Sequence, residues 1–137
     1  MTSTRAVLAA GALLLATVGG VASAAPGRAI PTARVQASNF KFCPASAAMC
    51  TPTDSGTVTT VKVGSRVIWT YTDHACDVVL PCPGHNVVFS NGTGTRKLIK
   101  KQGAVIYSAI FKRPGRFSYV CTAHAQFGMT GTLVVKR

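Results

Sequence analysis

The stretch that decides the fold reads RFSYVCTAHAQFGMTGTLVV and covers residues 116–135. Phe117, Tyr119 and Cys121 stand at every second position, so a β-strand would place their side chains on one face. A run of strand-forming residues returns at Gly131–Val135. The stretch therefore predicts two strands of a β-sheet joined by a loop.

The preceding residues follow the same pattern, with β-branched and aromatic residues gathered between Pro, Gly and Asn turns. We predict further strands at Val35–Phe42, Thr57–Val63, Arg66–Thr72, His85–Ser90 and Ala104–Phe111. Two long loops, 44–56 and 73–84, separate some of them, and no internal repeat or convincing helix pattern is found. Many short strands with regular turns indicate an all-β sandwich or barrel of about seven to eight strands.

The N-terminal residues have the pattern of a signal peptide. Arg5 precedes an apolar run, and the small residues Ala22–Ala24 resemble a signal-peptidase site. We therefore predict a signal peptide at 1–24, a linker at 25–34 and one folded domain at 35–137. The rival interpretation is an uncleaved membrane anchor, which the short, Ala- and Gly-rich run disfavours.

The charge of the chain is strongly positive, with 15 Lys and Arg against three Asp and no Glu. Removing Arg5 with the signal peptide leaves a formal charge of +11. Such a field attracts acidic proteins, anionic surfaces or nucleic acid. Export favours an acidic protein or an anionic envelope surface, although the charge can equally serve solubility. A basic patch at Arg96, Lys97, Lys100 and Lys101 has the same two interpretations.

The cysteine count is odd, which is informative in an exported protein. Two disulfides can form among Cys43, Cys50, Cys76 and Cys82. We favour Cys43–Cys50 and Cys76–Cys82, because each pair closes a short loop that already contains turn residues. Cys121 would then remain as a free thiol.

The loop that follows Cys121 contains further metal-binding side chains, His124 and Met129. A thiolate, an imidazole and a thioether, completed by a second imidazole, describe a trigonal copper site with a weak axial sulfur. His85, at the start of a predicted strand, is the natural second imidazole. A separate metal site at His74 with the nearby cysteines is disfavoured, because disulfide formation removes the thiolates.

These residues resemble the cupredoxins, the type 1 blue copper proteins, and are most similar to the plastocyanin and pseudoazurin branch. The resemblance is carried by 84–89, 117–124 and 128–135, with weaker likeness at 39–42 and 64–69. It implies a Greek-key β-sandwich with one type 1 copper. The implied copper ligands are His85, Cys121, His124 and Met129.

The resemblance also implies roles for residues around the metal. Asn86 would tie the His85 segment to the loop near Cys121. The ring edge of His124 would lie near solvent, in an apolar patch with Phe127 and Pro83 where partners dock. The chain departs from that branch in its two cysteine-bearing loops, and in Ala123, where the branch often has proline.

The expected function is that of an exported blue copper protein that carries single electrons between redox partners. The alternative is an extracytoplasmic copper-handling protein for storage, delivery or resistance. We expect no enzymatic activity, since multicopper enzymes need many histidines and this chain has three. We expect a periplasmic, cell-envelope or secreted monomer, without a transmembrane segment after signal cleavage. Its partner would be a redox protein, which the positive charge of the chain allows to be acidic, and not a nucleic acid.

Overall fold

The computed structural model describes residues 28–73 and 82–137, and the signal peptide predicted at 1–24 lies outside them. The described residues form nine strands and one short 3-10 turn. The strands are β1 Thr32–Ser38, β2 Lys41–Pro44, β3 Thr57–Lys62, β4 Arg66–Tyr71, β5 His85–Phe89, β6 Gly94–Ile99, β7 Val105–Ile110, β8 Gly115–Val120 and β9 Thr130–Lys136. The 3-10 turn, Ala125–Phe127, lies between β8 and β9.

The strands pack as two sheets, which confirms the predicted all-β sandwich. One sheet has the order β2-β1-β4-β7 and the other the order β3-β9-β8-β5-β6. Trp69 on β4 joins the two layers, because its ring lies 5.3 Å from that of Tyr119 on β8 and 5.7 Å from that of Phe89 on β5. Edge-to-face aromatic contacts of this kind add to the free energy of apolar burial. The core therefore fixes β4, β5 and β8 relative to one another.

The strand predicted at Val35–Phe42 is wrong, because the chain turns back in the middle of it. Asn39 and Phe40 have φ angles of 49° and 56° and connect β1 to β2 as a two-residue hairpin. Asparagine adopts positive φ readily and phenylalanine does not, so the turn cannot be anticipated from the strand-forming side chains.

The strand count of the described residues exceeds the expected seven to eight because the predicted first strand divides into β1 and β2 and because β6 was not predicted. The first strand begins at Thr32, inside the expected linker, because residues 32–37 pair with β4 in parallel register. β6 forms in the basic segment, where it pairs with β5. Its basic side chains are exposed, so charge and strand structure coexist there.

Disulfide bonding agrees with the predicted pairing where the structure describes it. Cys43 and Cys50 form a disulfide, and Cys121 is a buried free cysteine. Cys82 is also disulfide-bonded, but its predicted partner Cys76 lies outside the described residues. Within 28–73 and 82–137 there is no helix of the length and apolarity needed to cross a membrane.

Candidate metal centre

Three predicted ligands meet at one end of the sandwich. Cys121 Sγ lies 3.4 Å from His124 Nδ1 and 3.9 Å from His85 Nδ1, and the two Nδ1 atoms are 3.2 Å apart. The exposed fractions of Cys121, His85 and His124 are 0%, 0% and 7%. The two imidazoles and the thiol therefore point their donor atoms at one another inside the protein.

The size of this triangle suits a single metal ion. A triangle with these three sides has a circumscribed radius of about 2.0 Å, which is the usual length of a metal–nitrogen bond and slightly shorter than a metal–sulfur bond of about 2.3 Å. One thiolate and two imidazoles in trigonal arrangement are the donor set of electron-transfer copper sites. The residues present therefore fit a type 1 copper.

Two of the donors belong to the loop between β8 and β9, which is held by its own backbone. The amide of His124 donates to the carbonyl of Cys121, and the carbonyl of His124 accepts from the amides of Phe127 and Met129. The Cys121 amide in turn donates to the Met129 carbonyl. Gly128, with φ of 77°, ends the 3-10 turn in the left-handed conformation that glycine adopts most easily. The spacing of these ligands is thus fixed locally.

Met129, the predicted fourth ligand, closes this loop. Its side chain is fully buried, and its amide and carbonyl are bonded to His124 and Cys121. Met129 is therefore held beside both of the loop's other predicted ligands.

His85 comes from a different part of the chain, the first residue of β5. The pairing of β5 with β6 is irregular between His85 and Val87, so Asn86 falls at a bulge. Bulges re-aim side chains and occur frequently next to functional sites.

The buried Asn86 side chain connects this bulge to the ligand loop. Its Oδ1 accepts the amide of Thr122, the residue after Cys121, at 2.8 Å. Its Nδ2 donates to Thr122 Oγ1 at 2.8 Å and to the Arg96 carbonyl at 3.0 Å. The structure thus places Asn86 between the two segments that carry the ligands.

The outer nitrogen of His85 is held by a residue that the sequence analysis missed. His85 Nε2 lies 2.8 Å from Asp73 Oδ2, and the centre of the His85 ring lies 5.1 Å from that of Tyr71, with the two rings tilted by 33°. Asp73 lies two residues after the end of β4, and the sequence pattern assigns it no role. No spacing rule links a residue after β4 to the start of β5, since their approach depends on how the sheets pack.

The surroundings of Cys121 lower the pKa of its thiol. Burial alone would raise the pKa of Cys121, but hydrogen bonds involving His85 and the backbone of Asn86 and Ala123 lower it overall. Burial alone would lower the pKa of His85, and the bond to Asp73 together with Cys121 raises it. Burial and the neighbouring His85 lower the pKa of His124, which favours the neutral ring that binds metals.

Aromatic side chains surround His124 where it approaches the surface. The Phe40 ring lies 4.6 Å from the His124 ring and 5.6 Å from that of Phe127. Phe40 and Phe127 are 40% and 55% exposed, while Pro83 is half-buried. Phe40 was not predicted here, because only the tight turn after β1 brings it to this end of the sandwich.

Lys41 ties the same turn to the ligand loop. Its Nζ donates to the Phe127 carbonyl at 2.5 Å and contacts Ser55 Oγ at 2.6 Å. The turn between β1 and β2 therefore forms one wall of the site, with an apolar ring and a positive charge side by side.

The fold and the donor set together define a copper-binding β-sandwich. The family model of copper-binding proteins of the plastocyanin/azurin family matches residues 55–136, which is more than half of the chain. The chain belongs to this family, and His85, Cys121 and His124 lie together as its site for one copper.

Known proteins similar to the chain include amicyanins and plastocyanins. Amicyanin-alpha of Methylorubrum extorquens is 37% identical over 81 residues, covering 56% of this chain and 58% of that protein. The chain thus spans little more than half the length of that relative.

Two solved structures show the same fold. Amicyanin from Paracoccus versutus (Thiobacillus versutus) has a TM-score of 0.51 at 21% identity, covering 82% of this chain and 85% of its own. Oxidized plastocyanin from Dryopteris crassirhizoma has a TM-score of 0.52 at 24% identity, covering 76% of this chain and all of its own. At these identities the likeness concerns the fold.

Proposed function

We propose that this protein is an exported type 1 copper protein that carries single electrons between redox partners. The observation that carries the proposal is the triangle of His85, Cys121 and His124 donor atoms, buried at one end of a two-sheet sandwich. Copper bound there would supply reversible one-electron transfer between Cu(I) and Cu(II). A donor set that suits both oxidation states requires little rearrangement when the electron moves.

The side chains contribute by holding the donors still. Asn86 and the backbone of the ligand loop restrain Cys121 and His124, and the sandwich restrains His85. Met129 would supply the fourth ligand, because it is buried and bonded through its backbone to both loop donors. Four ligands from protein side chains would hold the metal. This arrangement supports an electron carrier without enzymatic turnover.

The proposed docking surface consists of Phe40, Phe127 and Pro83 around His124. Lys41 lies at its edge, and the chain as a whole is strongly basic. An apolar surface inside a positive field fits an acidic redox protein, because opposite charge accelerates encounter and apolar contact completes the complex. We expect the protein itself to be a monomer.

The proposed location is outside the cytoplasm, in the periplasm, the cell envelope or the medium. The N-terminal signal-like sequence and the Cys43–Cys50 disulfide support it, since disulfides persist in oxidising compartments.

The proposed function is tested by reconstituting the protein from residue 25 with Cu(II) and recording visible absorption and electron paramagnetic resonance. We expect an intense blue thiolate-to-copper band with a narrow copper hyperfine splitting. Cys121→Ser should abolish the band. A colourless wild-type protein with ordinary tetragonal copper would overturn the proposal.

The methionine pair provides a matched control for the proposed fourth ligand. Met129→Leu should change the reduction potential and the spectrum, whereas Met49→Leu, at a 51% exposed position, should change neither. Equal spectra for the two variants would remove Met129 from the ligand set. Copper that passes readily to a chelator, with slow electron self-exchange, would favour the copper-handling alternative.

The charge of the partner is tested with small redox reagents of opposite sign. The second-order rate with anionic hexacyanoferrate should fall as salt rises, and the rate with a cationic ruthenium hexaammine should rise. Phe127→Ala should leave the blue spectrum intact and slow transfer to a protein partner. A flat salt profile with both reagents would contradict the basic docking surface.

A further inference from the structure

The carboxylate of Asp73 contacts two different walls of the metal centre. Its Oδ2 lies 2.8 Å from His85 Nε2, and its Oδ1 accepts the backbone amide of Asn39 at 2.6 Å. Asp73 is only 8% exposed, and Tyr71 also forms a side-chain hydrogen bond with it. A buried carboxylate with several donors around it is held in one orientation.

We propose that Asp73 is a positioning residue that locks the His85 ring for copper and holds the Asn39–Phe40 turn against His124. The proposal rests on the copper function proposed above and assigns a role to a residue outside the ligand set. By accepting a hydrogen bond from Nε2, the carboxylate keeps the proton on that nitrogen. The lone pair of Nδ1 then faces Cys121 and His124.

The hydrogen bond from His85 Nε2 to Asp73 also changes how strongly the His85 ring donates electrons to the metal. A carboxylate behind a metal-binding imidazole makes the ring a stronger electron donor. A stronger donor stabilises Cu(II) more than Cu(I), so Asp73 lowers the reduction potential of the centre. A backbone carbonyl that accepted the same hydrogen bond would lower the potential less, because it carries no net charge.

The second carboxylate oxygen, Oδ1, supports the Asn39–Phe40 turn through its hydrogen bond from the Asn39 amide. Phe40 has a φ of 56°, which is unfavourable for a bulky residue and persists only where the surroundings hold it. The Asp73 bond to the Asn39 amide and the Asn39 Nδ2 bond to the Cys50 carbonyl provide this support. The turn places Phe40 over His124, so one carboxylate restrains both histidine environments.

The test compares Asp73→Asn with Asp54→Asn in the copper-loaded full domain. Each variant removes one negative charge, but Asp54 bonds within its own loop, to Thr51. A carboxamide at position 73 has one acceptor oxygen where the carboxylate has two. We expect Asp73→Asn to weaken Cu(II) binding about tenfold more than Cu(I) binding, which corresponds to a potential about 59 mV higher. Asp54→Asn should leave the potential near that of the wild type.

The turn is tested by amide hydrogen exchange in the same variants. Exchange at Asn39 should accelerate at least about tenfold in Asp73→Asn and stay unchanged in Asp54→Asn. Asp73→Glu keeps both acceptors and should recover part of the potential and of the protection.

A second measurement keeps the proposal testable if Asp73→Asn does not fold. In the wild-type Cu(I) protein, nitrogen NMR of labelled histidine should show a slowly exchanging proton on His85 Nε2. Rapid exchange of that proton would overturn the proposal, as would equal potentials for the two Asn variants. A wild-type protein that lacks the blue band would instead refute the proposed function, so the two failures are distinguishable.

Discussion

The ligand loop and the His85 segment bring donors to the same centre by different means. In the loop, Cys121, His124 and Met129 are spaced by backbone hydrogen bonds among themselves. His85 is positioned by contacts with distant parts of the chain, since its ring contacts Asp73 and the neighbouring Asn86 bonds to Thr122. One half of the site is therefore local in sequence, and the other half depends on the packing of the sandwich.

This difference indicates how substitutions in each region affect the site. A change inside the loop alters the spacing of its own donors, while a change around His85 alters the fit between two segments. Buried polar side chains carry the second task, and such groups are costly to leave without partners. Variants in each region, and in the strand beneath both, can separate the two kinds of support.

The largest effect is expected for Asn86→Ala, which cuts the connection between the two regions. The substitution removes a fully buried side chain and leaves the Thr122 amide and the Arg96 carbonyl without this partner in a partly buried place. We expect the free energy of unfolding of the metal-free protein to fall by about 3 kcal/mol. Urea denaturation measures it.

Asn91→Ala serves as the control, since Asn91 is exposed and its side chain bonds within its own turn, to Thr93. It should lower the unfolding free energy by less than about 1 kcal/mol. Similar losses in the two variants would mean that Asn86 does not connect the His85 segment to the ligand loop.

A smaller effect is expected for Gly128→Ala, which disturbs the local region alone. Gly128 has a φ of 77°, and a Cβ there would lie 2.7 Å from Ser55 Oγ and 3.1 Å from Lys41 Nζ. The left-handed backbone costs about 1 kcal/mol and the displaced contacts add to it, giving about 2 kcal/mol in total. The blue band should shift, because the same loop spaces Cys121 and His124.

Gly92→Ala is the matched control for this substitution. Its φ is 83°, but a Cβ at Gly92 would meet nothing within 4 Å. It should therefore show the backbone effect alone and leave the spectrum unchanged. If both alanines destabilise the protein equally, crowding against Lys41 and Ser55 has no role in the ligand loop.

The smallest effect concerns Tyr119, on the strand that leads into the ligand loop. Burial raises the pKa of Tyr119 to about 12. The folded protein therefore keeps this proton at a pH where the unfolded chain, with its ordinary tyrosine pKa near 10, loses it. The stabilising contribution is complete below pH 10 and declines as pH rises toward 12, with about 0.8 kcal/mol lost by pH 10.5.

Urea unfolding of the metal-free protein between pH 8 and pH 10.5 measures this decline. Tyr119→Phe should show a shallower dependence on pH. An equally steep decline in that variant would assign the alkaline sensitivity to other groups.

Most of the fold could be predicted from the sequence, because strand patterns and turn residues are local signals. β3, β4, β5, β7, β8 and β9 lie within a residue or so of their predicted bounds. The hairpin after β1 could not be predicted in the same way, since Phe40 normally favours an extended backbone. The positive φ of Phe40 is supported by hydrogen bonds that the neighbouring Asn39 makes to Asp73 and Cys50, which lie 34 and 11 residues away from it.

The candidate site likewise contains residues that the sequence predicts and contacts that it does not. Cys121, His124, Met129 and His85 could be named as donors from residue type, spacing and family resemblance. The contact between Asp73 and His85 could not, because its geometry arises from the approach of β4 in one sheet to β5 in the other.

The sequence by itself determined the all-β class, the donor types and the odd cysteine, since these depend on composition and on spacing within short segments. Only the tertiary structure decided which carboxylate stands behind His85 and which aromatic ring covers His124. Both contacts join residues more than ten positions apart through packed sheets. They depend on long-range register and burial, which a local pattern does not encode.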